Sequence, residues 1–456
     1  MPHHHRVPQS PRGLPWAGAG GVAWIAVVMV TLACVPTSAA TPSQQPNIVL
    51  IVADDLGYGS LGCYGSGQVR TPAIDRLARH GVRLTDFHAN GPMCSPTRAA
   101  LMTGRYQQRC TWVEDAELSP AYRKQRRENP KQRWAWGIAA EELTLAALLR
   151  QAGYRTSLVG KWHLGYDEAF HPMNRGFDEF RGFVGGAVDY HTHIATHGLH
   201  GLDWWHDRRI ENQQGYSTDL LTRHATEFID GNVGTPFFLC LAHAALHEPL
   251  QSRDPSRTAP QPAVYREMIE SLDDSVAAVM AKLDEHDITE NTLVVFCSDN
   301  GPQPPRGQAA EGPLRGLKGS LFEGGHRVPC IASWPGTLPA GSVCDATVMT
   351  MDLLPTFARL AGATTPAAHA IDGIDVIPIL RGDAATPARI LHWRFADGWA
   401  VREGPWKLLG EHDAPTMLVN LTDDLGESRD CLAQEPERAD QLMSHHREWT
   451  AAVGTR

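Results

Sequence analysis

The chain has 456 residues, 42% of them hydrophobic and 20% charged, and 41 Lys and Arg against 51 Asp and Glu give a formal net charge of -10. That length exceeds one typical domain and can bury a large core, and the composition excludes a disordered or low-complexity chain. The negative balance excludes nucleic acid as the main partner, yet leaves open an anionic substrate held by local charge.

Residues 1–40 read as an export signal. Arg6 and Arg12 form a basic flank, residues 22–33 are apolar, and Ser38-Ala39-Ala40 is a small-residue cleavage site. The apolar run is short for a bilayer span, so an uncleaved anchor is the weaker alternative, and Thr31-Leu32-Ala33-Cys34 matches a bacterial lipidation box poorly. The expectation is a secreted or periplasmic protein with no stable membrane insertion after signal removal. Of nine cysteines, Cys34 falls in the signal; setting aside Cys94 as well leaves seven, an odd number that cannot pair completely within one chain. Cys240, Cys297 and Cys330 lie in apolar runs and read as small buried hydrophobes.

The first element after the signal is the apolar run 47–53, which ends abruptly in Asp54-Asp55. Next comes Cys94-Ser95-Pro96-Thr97-Arg98, continuing through Leu101 to Thr103-Gly104-Arg105. Ser95 suits an N-cap, Pro96 a first helical position and Gly104 the C′ end of a short helix. Cys94 then stands at a helix N-terminus, where backbone N–H groups favour an anion. The alternative is a structural cysteine before an ordinary helix.

Helical periodicity over 141–152, closing at Gly153, precedes a second apolar run, 156–159, that leads into Gly160-Lys161-Trp162-His163. A third run, 237–242, leads to His243 and His247, which compete as the functional histidine of that segment. Residues 265–283 form an amphipathic helix, and a fourth run, 292–297, opens onto Ser298-Asp299-Asn300-Gly301. Continuous apolar strands imply a sheet buried on both faces, hence mostly parallel, and strand–helix alternation implies an α/β sandwich. Ligands in such sheets bind beyond the carboxyl ends of the strands, where these polar groups fall.

Asp54, Asp55, Asp299 and Asn300 offer four hard oxygens, suited to Ca²⁺ or Mg²⁺ and not to zinc. Each pair by itself is also an ordinary strand-to-turn exit. Lys318 lies five residues before Glu323-Gly324-Gly325-His326-Arg327-Val328-Pro329, whose glycines imply tight backbone turning. Short strand-like stretches at 392–395, 399–402, 406–409 and 417–421, followed by a helix over 437–452, indicate a small α+β unit from about Arg381. The expected organisation is a signal over 1–40, a catalytic domain over 41–380 and a C-terminal subdomain over 381–456.

Taken in order, Asp-Asp, the cysteine motif, Gly-Lys-Trp-His-Leu-Gly, the His247 segment, Asp-Asn-Gly and the lysine before Glu-Gly-Gly-His-Arg-Val-Pro resemble the type I sulfatase family, from about Pro46 to the C-terminus. The departures are Thr97 for the more usual serine and Ala244-Ala245-Leu246 for the common Ala-Pro before the histidine. The resemblance implies an alkaline-phosphatase-like fold and oxidation of Cys94 to formylglycine by a formylglycine-generating enzyme. It implies one Ca²⁺, or Mg²⁺ in its place, on Asp54, Asp55, Asp299, Asn300 and the modified Cys94. It also implies that Arg98 steadies the hydrated aldehyde and that Lys161 and Lys318 contact sulfate oxygens. Asp299 would assist attack on sulfur, His247 with Lys318 would protonate the leaving alcohol, and His163 would deprotonate the second hydroxyl.

Substrate identity is less legible. Asp189 to His193 and Trp204-Trp205 are placed to line a pocket mouth, where paired aromatics stack on sugar rings; a buried aromatic pair is the plain alternative. Arg123, Lys124, Arg126, Arg127, Lys131 and Arg133 form a basic run, either a solvated loop or a contact surface for a polyanionic glycan. A sulfated carbohydrate is the expected substrate, ahead of an aryl sulfate. Two other readings stand: a phosphate or phosphonate ester hydrolase of the same superfamily, and a catalytically silent glycan-binding relative.

Overall fold

The structure, a computed structural model, describes residues 45–110, 137–197, 201–304 and 312–454. The export signal and the basic run at 123–133 lie outside the described residues. A ten-stranded mixed sheet organises the molecule. In chain order its strands are β1 (Asn47–Ala53), β2 (Val82–Leu84), β3 (Arg155–Lys161), β4 (Glu179–Phe183) and β5 (Trp205–His206), then β6 (Arg209–Ile210), β7 (Phe237–Ala242), β8 (Thr292–Ser298), β9 (Cys330–Ser333) and β10 (Ser342–Cys344). Their spatial order is β10-β2-β9-β8-β1-β7-β3-β4-β5-β6. The five central strands β8, β1, β7, β3 and β4 are mutually parallel, and β8, β1 and β7 carry the apolar runs expected of a sheet buried on both faces.

β1 shows why such a run has no alternation. Ile48, Leu50 and Val52 enter the core on one face, while Val49, Ile51 and Ala53 enter the core on the other. Helices α1 (Pro72–Arg79), α4 (Ser217–Gly231) and α5 (Gln261–Glu285) supply the second core; α2 (Cys94–Thr103), α3 (Leu145–Gln151) and α7 (Leu353–Leu360) supply the first. The helix expected from residue 141 begins at Leu145, because the Thr144 hydroxyl caps it by accepting from the Ala147 N–H.

The C-terminal region forms the anticipated small antiparallel sheet. Strands β11 (Ile390–Phe395), β12 (Gly398–Glu403), β13 (Trp406–Glu411) and β14 (Ala414–Asn420) pair in sequence order. One face packs Trp393, Ala400 and Val419 on Ala100, Tyr106 and Met349; the other packs Val401, Leu408 and Leu418 on Leu442 of α9 (Pro436–Val453). All eight cysteines among the described residues are unpaired. No helix of the described residues is long and apolar enough to cross a membrane.

Candidate active site

β1, β3 and β8 each end in functional groups on the same edge of the parallel sheet, which brings Asp54, Asp55, Lys161, Asp299 and Asn300 together. Close spacing at the strand ends depends on glycine. Gly160 has φ of 116°, and a Cβ there would meet the Ala242 carbonyl oxygen at 1.8 Å. The chain then turns sharply at two site residues, since Asp55 (φ 62°) and His163 (φ 57°) both adopt left-handed backbone. Each costs about 1–3 kcal/mol of local strain, which the surrounding bonds hold in place.

Cys94 is the first residue of α2 and is only 2% exposed. Its Sγ lies 3.3 Å from Asp54 Oδ1. Burial, reinforced by Asp54, pushes its thiol well above the ordinary cysteine range. The expected N-cap role of Ser95 is not seen. Met93 occupies the cap in extended conformation, and the Ser95 hydroxyl instead donates to the His163 carbonyl at 2.9 Å. Gly104 does close the helix in left-handed conformation, donating its N–H to Ala100. Thr97 keeps the hydroxyl that its serine alternative offers: it donates to the Gly91 carbonyl at 2.9 Å and accepts from the Gly91 N–H at 3.1 Å.

Three carboxylates face three cations. Lys161 Nζ sits 2.5 Å from Asp54 Oδ2, and Lys318 Nζ sits 2.7 Å from Asp55 Oδ1. Arg98 Nε and Nη2 lie 2.9 and 2.7 Å from Asp299 Oδ2, while Nη1 donates to the Lys161 carbonyl at 2.9 Å. Burial alone raises Asp54 and Asp55, but Lys161 on the first and Lys318 on the second outweigh it and hold both below the usual carboxylate value. Lys161 and Lys318 are conversely held above theirs, as Asp54 and Asp55 overcome the cost of burying a cation.

The donor set fits a hard cation. One atom each from Asp54, Asp55, Cys94 and Asp299 lies within 4.8 Å of all the others. Asn300 donates its amide to Asp55 Oδ1 at 2.7 Å and to the Gly301 carbonyl at 2.9 Å, so its own oxygen is turned the opposite way. That buried Oδ1 has no hydrogen-bond partner among the described residues. An orphaned amide oxygen on a residue that bonds Asp55 is one that an oxygen-preferring ion at the carboxylates would satisfy once the amide is turned toward it.

Of the two competing histidines, His247 joins the site and His243 does not. His247 can bring a ring nitrogen within 4.8 Å of both an Asp54 oxygen and Cys94 Sγ. Burial lowers its proton affinity below the ordinary imidazole value, against the opposing pull of Asp54 and Asp55. His243 Nε2 instead bonds Ser275 of α5 at 2.9 Å, and burial drops its pKa to about 3. Leu246 uses its N–H to donate to the Asp54 carbonyl. His163 donates its N–H to the Val184 carbonyl at 3.2 Å. A Cβ on Gly186 would come within 2.8 Å of its Nε2.

The sequence did not single out Asp203. Its buried carboxylate accepts from the Val184 and Gly185 N–H groups at 3.1 and 2.8 Å, which shapes the loop against His163. Of the two readings of Trp204-Trp205, Trp204 follows the buried one: it is 1% exposed and stacked on His193 with ring centroids 4.1 Å apart, with Phe183 parallel to it. Trp205 is half-buried, donates to Asp203 at 2.7 Å and meets the His171 ring edge-on. Asp189 to His193 is likewise a self-bonded turn, in which Asp189 accepts from Thr192 and Gln251.

Comparison with known proteins gives a consistent picture. The family profile described as Sulfatase matches residues 46–363. N-acetylgalactosamine-6-sulfatase of Canis lupus familiaris is 34% identical over 394 residues, covering 83% of this chain and 74% of the relative. Arylsulfatase G of Rattus norvegicus is 32% identical, covering 89% and 86% respectively. The crystal structure of Ps i-CgsB in complex with k-i-k-neocarrahexaose superposes with a TM-score of 0.79 at 33% identity, covering 89% of this chain and 93% of that one.

Proposed function

The chain belongs to the sulfatase family and is a sulfatase, and from that premise we propose that it hydrolyses sulfate monoesters of a carbohydrate at an oxidised Cys94. The observation that carries this reading is the convergence of Cys94, Asp54, Asp55 and Asp299 within 4.8 Å, ringed by Arg98, Lys161 and Lys318. Formylglycine at position 94 would supply, as its hydrate, one hydroxyl to attack sulfur and a second through which sulfate is expelled. A serine or threonine lacks the second hydroxyl and could not be released in this way. Asp54, Asp55, Asp299 and Asn300 would hold Ca²⁺, with Mg²⁺ as the alternative ion, to polarise the attacking hydroxyl and the sulfate oxygens.

The chain's own residues divide the remaining work. Lys161 and Lys318 bind sulfate oxygens, and with Arg98 they balance the three aspartates so that a divalent ion leaves the pocket net positive. Asp299, fixed by Arg98, takes the proton of the attacking hydroxyl. His247, with a ring nitrogen within 4.8 Å of Asp54 and Cys94, delivers a proton to the departing alcohol oxygen. His163 removes the proton from the second hydroxyl as sulfate departs.

Carbohydrate as the leaving group is supported by relatives named for N-acetylgalactosamine-6-sulfate and by the neocarrahexaose complex. The basic run from Arg123 to Arg133 is the sequence feature that suits a polyanionic chain. The segment over 1–40 supports export, and a formylglycine-generating enzyme is the maturation partner. The test is mass spectrometry of the Cys94 peptide from cells containing that enzyme, then sulfate release from a panel of sulfated mono- and oligosaccharides beside an aryl sulfate and an aryl phosphate. Aldehyde at position 94 with release from sugars supports the reading. Unmodified thiol in fully active enzyme, or release from the aryl phosphate alone, rejects it.

A further inference from the structure

The one-turn helix α6 (Glu323–His326) is tied at one end to buried charges of the C-terminal sheet. Lys407 of β13 places Nζ 2.9 Å from Glu323 Oε1 and 3.2 Å from His326 Nε2, and it pairs with Glu427 at 3.0 Å. Arg402 of β12 forks onto Asp86 at 2.9 and 2.8 Å. Glu323, His326, His88 and Lys407 are all fully buried. His88, Glu323 and His326 lie close enough together to share an ion. Their outward donors, however, already face the Arg402 and Lys407 nitrogens. The cluster is therefore a buried ion network, which is held only where every charge has a partner.

The other side of α6 touches the candidate active site. The Gly325 carbonyl accepts from the Gly301 N–H at 2.9 Å, one residue beyond Asn300. Gly324 donates to the Arg315 carbonyl at 2.7 Å, and Lys318 donates its own N–H to Pro302 at 3.0 Å. The Lys318 loop wraps the helix so closely that a Cβ on Gly325 would lie 1.9 Å from the Ser320 oxygen. Asn300 and Lys318 are thus braced against two adjacent glycines, and those glycines follow directly on Glu323.

We propose that Lys407 and Glu323 are positioning residues for the sulfatase reaction, fixing α6 and through it the Lys318 ammonium and the Asn300 oxygen. Neither side chain is assigned contact with substrate. The inference rests on the roles proposed above for Lys318 and Asn300. It matters energetically because a misplacement of about 1 Å at a reacting group costs on the order of 100-fold in rate.

The test uses the full chain. Glu323→Gln with Lys407→Met removes both charges together, so that neither member of this pair is left without the other, although Glu427 loses its Lys407 partner. Hydrogen exchange is followed at the Gly301 and Lys318 amides, with the Leu50 amide in β1 as the internal reference, and inorganic sulfate binding is measured by calorimetry. Exchange at 301 and 318 should accelerate about tenfold with Leu50 unchanged, since local opening separates from global stability. Sulfate should bind about tenfold more weakly, and Lys407→Arg, which keeps the charge, should restore both. Unchanged protection at 301 and 318, or equal acceleration at Leu50, overturns the proposal. Should the double variant fail to fold, Glu323→Gln alone, with Lys407 still paired to Glu427, is read by the same amides and the same criteria. Wild-type protein that binds no sulfate would count against the proposed function, while the exchange comparison still decides the positioning role.

Discussion

Arg98 places two nitrogens on one oxygen of Asp299, at 2.9 and 2.7 Å, leaving the other oxygen to accept the Asp55 N–H at 3.4 Å. The pair is almost wholly buried, with side chains 4% and 1% exposed. This geometry orients the carboxylate toward Cys94 and depends on the planar guanidinium fork. Arg98→Lys keeps the charge and loses the fork. Turnover should fall about 10²- to 10³-fold, the usual effect of removing one preorganised donor, with calcium affinity changed much less. Equal losses in both would show that Arg98 serves the metal site as a whole.

Asp299 and Asn300 should separate on metal titration. Asn300→Ala removes the orphaned oxygen, so calcium should bind more weakly and excess calcium should restore much of the turnover. Asp299→Asn removes the proposed metal ligand and base together and leaves Arg98 buried beside a neutral partner. It should lose activity that calcium cannot restore, and stability on the order of 3–5 kcal/mol. Calorimetric calcium titration and chemical denaturation of the two variants measure both effects.

On the roles proposed for them, His163 and His247 should fail at different stages. His247→Ala should suffer most on sulfated sugars and least on an activated aryl sulfate, whose leaving group needs little protonation. His163→Ala should leave residue 94 carrying the mass of a sulfate group after brief exposure to substrate. Intact-mass analysis after quenching checks this, and uniform loss on every substrate with no added mass would refute the division.

Stability in acid should depend on Asp86. Burial works against its charge, but His88, Arg402 and Arg327 more than offset that and hold its carboxyl well below 3.8. A carboxylate depressed on folding contributes stability that is complete above its unfolded pKa and disappears as pH falls through the folded value. Asp86→Asn should therefore be clearly less stable than wild type at pH 7, with the gap shrinking below about pH 4. Urea midpoints across that range measure the difference.

The parallel sheet was legible because residues 47–53, 237–242 and 292–297 are apolar on both faces, a pattern with few alternatives. The convergence of Asp54, Asp55, Lys161 and Asp299 was legible because each ends such a strand or follows directly on it. Local side-chain choices were less so. Ser95 is a good cap by type, yet its hydroxyl is drawn to His163, 68 positions away. Trp204 reads equally as a sugar platform or a buried ring until Phe183 and His193 are seen stacked on it. Lys407 read only as part of a short strand, since nothing near it in the chain marks Glu323, 84 positions earlier, as its partner. Asp203 was missed for the same reason: its acceptor role is toward backbone N–H groups, which sequence does not display.

The enclosure of Cys94 has a consequence for the life history of the molecule. Its thiol is sealed by residues that emerge both before and after it, and the last of the enclosing carboxylates, Asp299, lies 201 positions beyond Arg98. At about 5–20 residues per second of synthesis, the cysteine motif is exposed for on the order of 10–40 seconds before that wall exists. A maturation enzyme of the kind proposed above would have to work within that interval or on a chain kept from folding. A copy that folded first would keep its thiol enclosed, and the active fraction of a preparation would then follow from a race between oxidation and folding.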